Sequence, residues 1–401
     1  MTYDVAAVRA QFPALAEKAA HFDGSGGSQV PEPVARAVYE TLRSAVANRG
    51  TFTAAERRAE HLVHEARSAM ADLLDADARG IVFGRSMTQL TYDMSRALAK
   101  TWTAGDEVVV TRLDHDANIR PWVQAAATAG ATVRWADFDP ATGELTPEDI
   151  AAVLSPRTRL VAVTAASNLI GTRPDLTEIS RRVHDTGALL YVDGVHHAAH
   201  TVVDVAALAA DFYACSPYKL LGPHCGVVAA APELLETLHP DKLLPSTDAV
   251  PERFELGTLP YELLAGCTAA VDFIATLSEH EHPSRRSALV SAMTAVERHE
   301  HALLRHLEAG LAELPAVTVY SRAAHRTPTV LFTVRNSTPT DVRRHLAERN
   351  INAPAGSFYA IEPARRLGLG ADGGVRVGLA PYTDRDDVDR LLAGLEELTP
   401  A

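Results

Sequence analysis

The sequence predicts an α/β fold: a mainly parallel sheet sandwiched by helices, with a smaller α+β domain at the C-terminal end. Three observations predict it. Short, apolar, β-rich runs alternate with helix-like segments from about Gly80 to Ala231. After the Pro-rich stretch HPDKLLPSTDAVPERF the rhythm changes to helices and shorter strands. A chain of 401 residues is also too long for one ordinary core, which suggests one large and one smaller domain.

In chain order the β-rich runs are GIVFG, DEVVVTRL, ATVRWADF, TRLVAVTAAS, ALLYVDG, DFYACS and CGVVAAA. Between them lie TQLTYDMSRALAK, ANIRPWVQAAATAG and DLTEISRRVHDTG, which carry helical spacing. Apolar strands separated by helices argue for a sheet covered on both faces. Ligands of such sheets sit at the carboxyl ends of the strands, so functional residues are expected just after each run. From about Leu264 the chain reads as helices, including a long amphipathic one over Ser284 to Leu314. The strands VTVYS and TVLFTVR follow, then a helix at TDVRRHLAERN and a terminal helix at DRDDVDRLLAGLEEL. We expect residues 1–20 to pack with the small domain, 21–263 to form the large domain and 264–401 the small one.

Nearly half of the residues are hydrophobic, as in ordinary globular proteins. The formal charge of −13 repels phosphate backbones and anionic lipid, which disfavours nucleic-acid and membrane partners. Three cysteines, an odd number without metal-type spacing, argue against a disulfide framework or a metal site and for a reducing cytoplasm. The N-terminal stretch lacks the apolar core of a signal peptide, and no apolar run is long enough to span a bilayer.

Several residues fall where chemistry is expected. Lys219 follows the run DFYAC and is flanked by Ser216, Tyr218 and the turn Gly222-Pro223, although on position alone a strand-end lysine is more often a solvated one. Asp193 ends ALLYV, as a turn carboxylate or a functional one. In FGRSMTQLTYDMSRALAK a helix N-terminus would offer the amides of Met87 and Thr88, and the Thr88 hydroxyl, to a phosphate; Ser and Thr are also routine caps. His115 in TRLDHDANIRPW could lie flat over a ring, and Asn168 in TAASNLIGT could donate to a ring hydroxyl. A Schiff-base lysine, a carboxylate for a pyridine nitrogen, phosphate donors and a flat group are what pyridoxal 5′-phosphate demands.

The ordered set H-x-x-N, SNxxGT, VDGxxxxxH, S-x-x-K-x-x-GP and F-E-x-GT resembles the cysteine desulfurase and selenocysteine lyase branch of fold-type I pyridoxal-phosphate enzymes, the class V aminotransferases. FDGxGGxQVP, TRLDHDAN, TAASN and GPH resemble a subgroup called cysteine desulfurase-like proteins. The resemblance runs from about Phe22 to Glu397. It implies a fold-type I transferase fold and a Schiff base at Lys219, with Asp193 on the pyridine nitrogen and His115 stacked on the cofactor. Asn168 would bond the ring hydroxyl, while Met87, Thr88 and Ser216 would hold the phosphate, with His196 and Tyr218 beside the cofactor. Arg376 would grip the α-carboxylate of an amino-acid substrate. Thr258 would reach the phosphate of a neighbouring subunit, which implies a homodimer with shared active sites. The glycine segment FDGSGGSQVP, Ser25 included, would shape the substrate entrance or form a simple turn.

The departures bear on the reaction. The loop NINAPAGSFYAIEPARRLGLG lacks the nucleophilic cysteine that the family's desulfurases carry there, and Tyr359 falls at about its place. Cys225 is a candidate substitute, though it reads better as a small hydrophobe opening a strand. His196 and Tyr218 replace the glutamine and histidine usual at their positions. The leading expectation is carbon–sulfur lyase or desulfurase-like chemistry, with Tyr359 or His196 as an acid. Transamination, epimerisation, decarboxylation, cyclisation and a non-catalytic scaffold stand as alternatives.

Overall fold

A computed structural model describes residues 3–277 and 281–398. In chain order its strands begin with β1 (Ala20–His21), β2 (Ile81–Gly84), β3 (Glu107–Thr111) and β4 (Thr132–Ala136). Next come β5 (Thr158–Thr164), β6 (Leu189–Asp193), β7 (Phe212–Cys215) and β8 (Gly226–Ala230). The C-terminal part adds β9 (Val317–Val319), β10 (Thr329–Val334), β11 (Ile351–Asn352), β12 (Ala355–Gly356) and β13 (Gly374–Gly378).

The seven expected runs form one seven-stranded sheet in the order β2-β8-β7-β6-β5-β3-β4. It is parallel from β7 to β4, while β8 runs antiparallel to both its neighbours, β2 and β7. Successive side chains of a strand point to opposite faces, so the apolar residues divide into two cores. Val109, Val161, Val163, Leu190 and Val192 face one core; Val108, Val110, Leu160, Ala162 and Tyr191 face the other. Helices Ala54–Leu74, Leu176–His184 and Tyr261–Thr276 contribute to the first, Met87–Ala99 and Arg120–Ala129 to the second. Both faces being covered explains why these strands are continuous apolar runs. The edge strand β4 is the exception, with Thr132 and Arg134 exposed.

A second, antiparallel sheet, β12-β13-β10-β9, packs with helices Arg285–Ala312, Pro339–Ala347 and Arg385–Leu398 around a third core. The expected helix over Ser284 to Leu314 is found over Arg285–Ala312, started by a capping box on Ser284. The N-terminal segment lies against this part of the chain. Arg9 pairs with Asp387 at 2.6 Å, and β1 adds to β11 in parallel. The boundary expected after residue 263 falls inside helix Tyr261–Thr276, which packs on helices Glu32–Arg43 and Ala54–Leu74. We therefore propose that the change of domain lies at the end of that helix. Among the described residues no helix is long and apolar enough to cross a membrane.

Candidate active site

At the carboxyl ends of β2, β3, β5, β6 and β7 the chain leaves a cavity. Ser86, Met87, Thr88, His115, Asn168, Asp193, His196, Ser216, Tyr218 and Lys219 line it, so nine of the thirteen residues singled out from the sequence meet there. Each stands at or just after a strand end, as the topology requires.

Lys219 is buried, in a short turn after β7, and among the described residues no hydrogen bond or ion pair holds its amine. Burial and the nearby Arg376 guanidinium push its pKa down, against the pull of Asp193. Asp193 ends β6, also buried, and accepts the Val195 amide on Oδ1 at 3.0 Å. Burial raises its carboxyl pKa, with the Val195 amide and Lys219 opposing. A carboxyl group and an amine thus line one cavity, each biased toward its neutral form. Gly194 after it has no alternative: a Cβ there would sit 2.0 Å from the Tyr213 ring.

His115 accepts the Ala117 amide on Nδ1 at 3.0 Å, which leaves the proton of the neutral ring on Nε2. Burial, with Lys219 nearby, holds its pKa down at about 4, so the ring is uncharged at neutral pH. Helix Met87–Ala99 points its N-terminus at the cavity, and the Ser86 side chain caps the Gln89 amide. The first-turn amides of Met87 and Thr88 have no intrahelical acceptors and remain available to an anion. β8 packs directly beneath, since a Cβ on Gly226 would lie 2.2 Å from the Ser86 carbonyl carbon.

Asn168 donates to the Phe358 carbonyl at 3.0 Å, and its Oδ1 is buried without a partner. His196 Nε2 lies 2.9 Å from both Thr327 Oγ1 and Thr329 Oγ1, while its Nδ1 is buried and unpartnered. The Tyr218 ring stacks on His224 at 4.8 Å.

Four of the residues singled out lie outside the cavity lining. Arg376, on β13, is buried beside it; it donates to the Asn168 carbonyl and to Asp23 Oδ1, with the Phe358 ring against its guanidinium. Tyr359 is exposed, its ring 5.8 Å from that of His115. Ser25 is wholly buried and bonds Thr329 Oγ1 at 2.8 Å, so its side chain does not face an entrance. Thr258 is exposed on a loop. Arg49, in a loop whose sequence resembles the family's, is held by Glu60 and Glu252 of its own chain.

Sequence reasoning passed over Ser86, Asp23, Thr327, Thr329 and Phe358. Ser86 was findable as the cap of a helix that had been recognised. Asp23 stood inside a glycine segment read only for its backbone. The two threonines and Phe358 carry no local signal, because a distant strand and loop bring them in. None of the three thiols reaches the cavity. Cys225 and Cys267 are buried with sulfurs 3.2 Å apart, and Cys215 is buried in β7.

This donor set fits pyridoxal 5′-phosphate: a buried amine without a partner, a buried carboxylate opposite, a helix N-terminus for a phosphate and a neutral flat ring. A family profile described as aminotransferase class-V matches residues 20–391. A cysteine desulfurase of Dickeya dadantii is 33% identical, covering 99% of this chain and 97% of that protein. An aminotransferase-like protein of Gibberella zeae is also 33% identical, over 98% of each chain. Among solved structures, the cysteine desulfurase CsdA of Escherichia coli superposes with a TM-score of 0.88 at 27% identity, covering 100% of both chains. An apo cysteine desulfurase from Thermococcus onnurineus gives 0.89 at 28% identity, covering 100% of this chain and 98% of that one. The chain belongs to the class V aminotransferase family of pyridoxal-phosphate-dependent enzymes.

Proposed function

We propose that this enzyme cleaves the carbon–sulfur bond of cysteine or a close amino-acid analogue and releases the sulfur directly, without passing it to a thiol of its own. The observation that carries the second half is the absence of any cysteine from the cavity, with Tyr359 on the loop beside His115. The likeness to cysteine desulfurases supports the first half.

Pyridoxal phosphate supplies an electron sink that stabilises negative charge at the substrate α-carbon. The protein's part is position and protons. Lys219, its amine made less basic by burial, is the residue we assign to covalent attachment of the cofactor and to moving the α-proton. Asp193 would hold the ring nitrogen in its protonated form; a cation there relieves the cost of its own burial. The amides of Met87 and Thr88, with the Ser216 hydroxyl, would hold the phosphate, and Asn168 would bond the ring hydroxyl. His115 presents an uncharged face and an Nε2 proton, and so suits stacking and proton transfer. His196 has a buried, unpartnered Nδ1 beside the cavity, suited to bond a polar group of the cofactor or substrate. Arg376 would take the α-carboxylate.

Two copies are proposed to share their sites. Exposed Tyr39, Leu42, Phe52 and Leu256 support this, as does the exposed Thr258 two residues beyond Leu256. A reducing cytoplasm is the compartment that three free, buried thiols suit.

The purified protein should be yellow when loaded with cofactor, and Lys219→Ala should lose that visible band. With L-cysteine it should release sulfide and pyruvate, and Cys225→Ala should do so at a rate within about twofold of the parent. Alanine in place of pyruvate, or loss of turnover in Cys225→Ala with the fold intact, would exclude direct release.

A further inference from the structure

Arg376 already holds a carboxylate. Its NH2 group donates to Asp23 Oδ1 at 2.9 Å, while the guanidinium is almost wholly buried and the Asp23 side chain is about two-fifths exposed. The other terminal nitrogen donates to the Asn168 carbonyl at 3.1 Å, and the Phe358 ring covers one face at 3.8 Å. The fork is incomplete. Nε is buried and has no acceptor, so Asp23 takes one arm of a site that geometrically suits two parallel bonds to one carboxylate. A buried donor left bare costs free energy that a better-placed acceptor recovers.

Asp23 also has the freedom to leave. Its carboxylate sits where a Cβ on Gly26 would lie, 2.3 Å from Oδ1, so the following turn is hollowed out to admit it. Its more solvated position gives it somewhere to go, whereas Arg376 is fixed by β13 and by Phe358.

We propose that Asp23 is a resident stand-in for the substrate's α-carboxylate: it neutralises Arg376 in the empty enzyme and is displaced when an amino acid binds. Binding is then an exchange of carboxylates on one guanidinium. Asp23 weakens the affinity for every α-amino acid while keeping a buried cation compensated between turnovers. It makes affinity depend on how well the incoming carboxylate fills the fork, including the bare Nε. The inference rests on the reading of Arg376 as the carboxylate site.

The test uses the cofactor-loaded enzyme and follows the visible absorbance change on titration with glycine and with methylamine, which is glycine without its carboxylate. Asp23→Asn keeps the side chain's size and removes its charge. Gly26→Ala keeps the Asp23 charge but crowds the position its carboxylate holds beside Arg376. Both should tighten glycine binding, by on the order of tenfold, and leave methylamine unchanged. Weaker glycine binding in both variants would make Asp23 a support that orients Arg376 and would overturn the exchange. Equal changes for the two ligands would overturn it as well. Arg376→Gln, run in parallel, separates the two ideas. Loss of the preference for glycine over methylamine supports the carboxylate site, so that a failure of the Asp23 and Gly26 variants counts against the exchange alone. A preference untouched in Arg376→Gln sinks the carboxylate site and the exchange with it. A thermal melt of each variant confirms that the fold survives.

Discussion

Three histidines in a five-residue stretch, His196, His197 and His200, are all buried, and each is held differently. His196 meets two threonine hydroxyls, His197 meets the Tyr213 hydroxyl at 2.9 Å, and His200 meets Glu300 at 2.9 Å. For His197 burial comes first and holds the pKa down at about 3, below its ordinary value near 6.5. The sign follows from proton binding. Between those values the native state binds fewer protons than the unfolded chain, so this ring's stabilising share is complete above pH 6.5 and is lost as pH falls. His197→Gln cannot titrate. Between pH 7 and pH 5 the parent should lose about 2 kcal/mol more stability than this variant, as read from urea melts at the two pH values. An equal loss would mean that the ring charges freely in the native protein. Nothing in the local sequence separates their roles. Only His196 was assigned to the site, and it does line the cavity, yet the threonines that engage it arrive from a strand far along the chain. Lys219, Asp193 and His115 were legible for the opposite reason: each sits beside a strand end, where local pattern and topology give the same answer.

Among the elements, helix Met87–Ala99 and strand β8 form a matched pair. The helix offers its first-turn amides to the cavity, and Gly226 at the start of β8 lets the strand pass directly below the helix N-terminus. Gly226→Ala would force the Ser86–Met87 backbone upward, since no side chain can rotate away from a backbone clash. We expect destabilisation of about 1–3 kcal/mol and weaker retention of the cofactor's phosphate, measured by thermal melting and by dialysis of the loaded enzyme. Unchanged retention would mean that these amides do not hold the phosphate. Six of the seven strands of the large sheet were readable because burial on both faces makes them largely apolar, while the edge strand β4 is half exposed. β11 and β12 were not, being two residues each and defined only by their partners. The proposed domain boundary has no local mark for a related reason. Helix Tyr261–Thr276 is apolar on most sides, and nothing in its own pattern says which core it joins.

Across the whole molecule, the Arg49–Glu252 bridge ties the loop carrying Phe52 to the segment that ends at Leu256 and Thr258. Phe52 and Leu256, exposed on the two segments so tied, suit contact with a second copy. Sedimentation equilibrium should give twice the chain mass, and Phe52→Asp combined with Leu256→Asp should shift the species toward one chain. A parent protein of single-chain mass would remove the shared site from the proposal. The sheet order has a further consequence, for how the enzyme comes to be made. β2 leads into helix Met87–Ala99, and its partner in the sheet, among the described residues, is β8, which emerges from the ribosome after every other strand of that sheet. Contacts so distant in sequence form slowly. A nascent chain can therefore pair β3 to β6 before it can anchor β2 and the helix that follows it. The proposed cofactor site should then close late in synthesis, and a truncated chain lacking β8 should leave β2 unpaired.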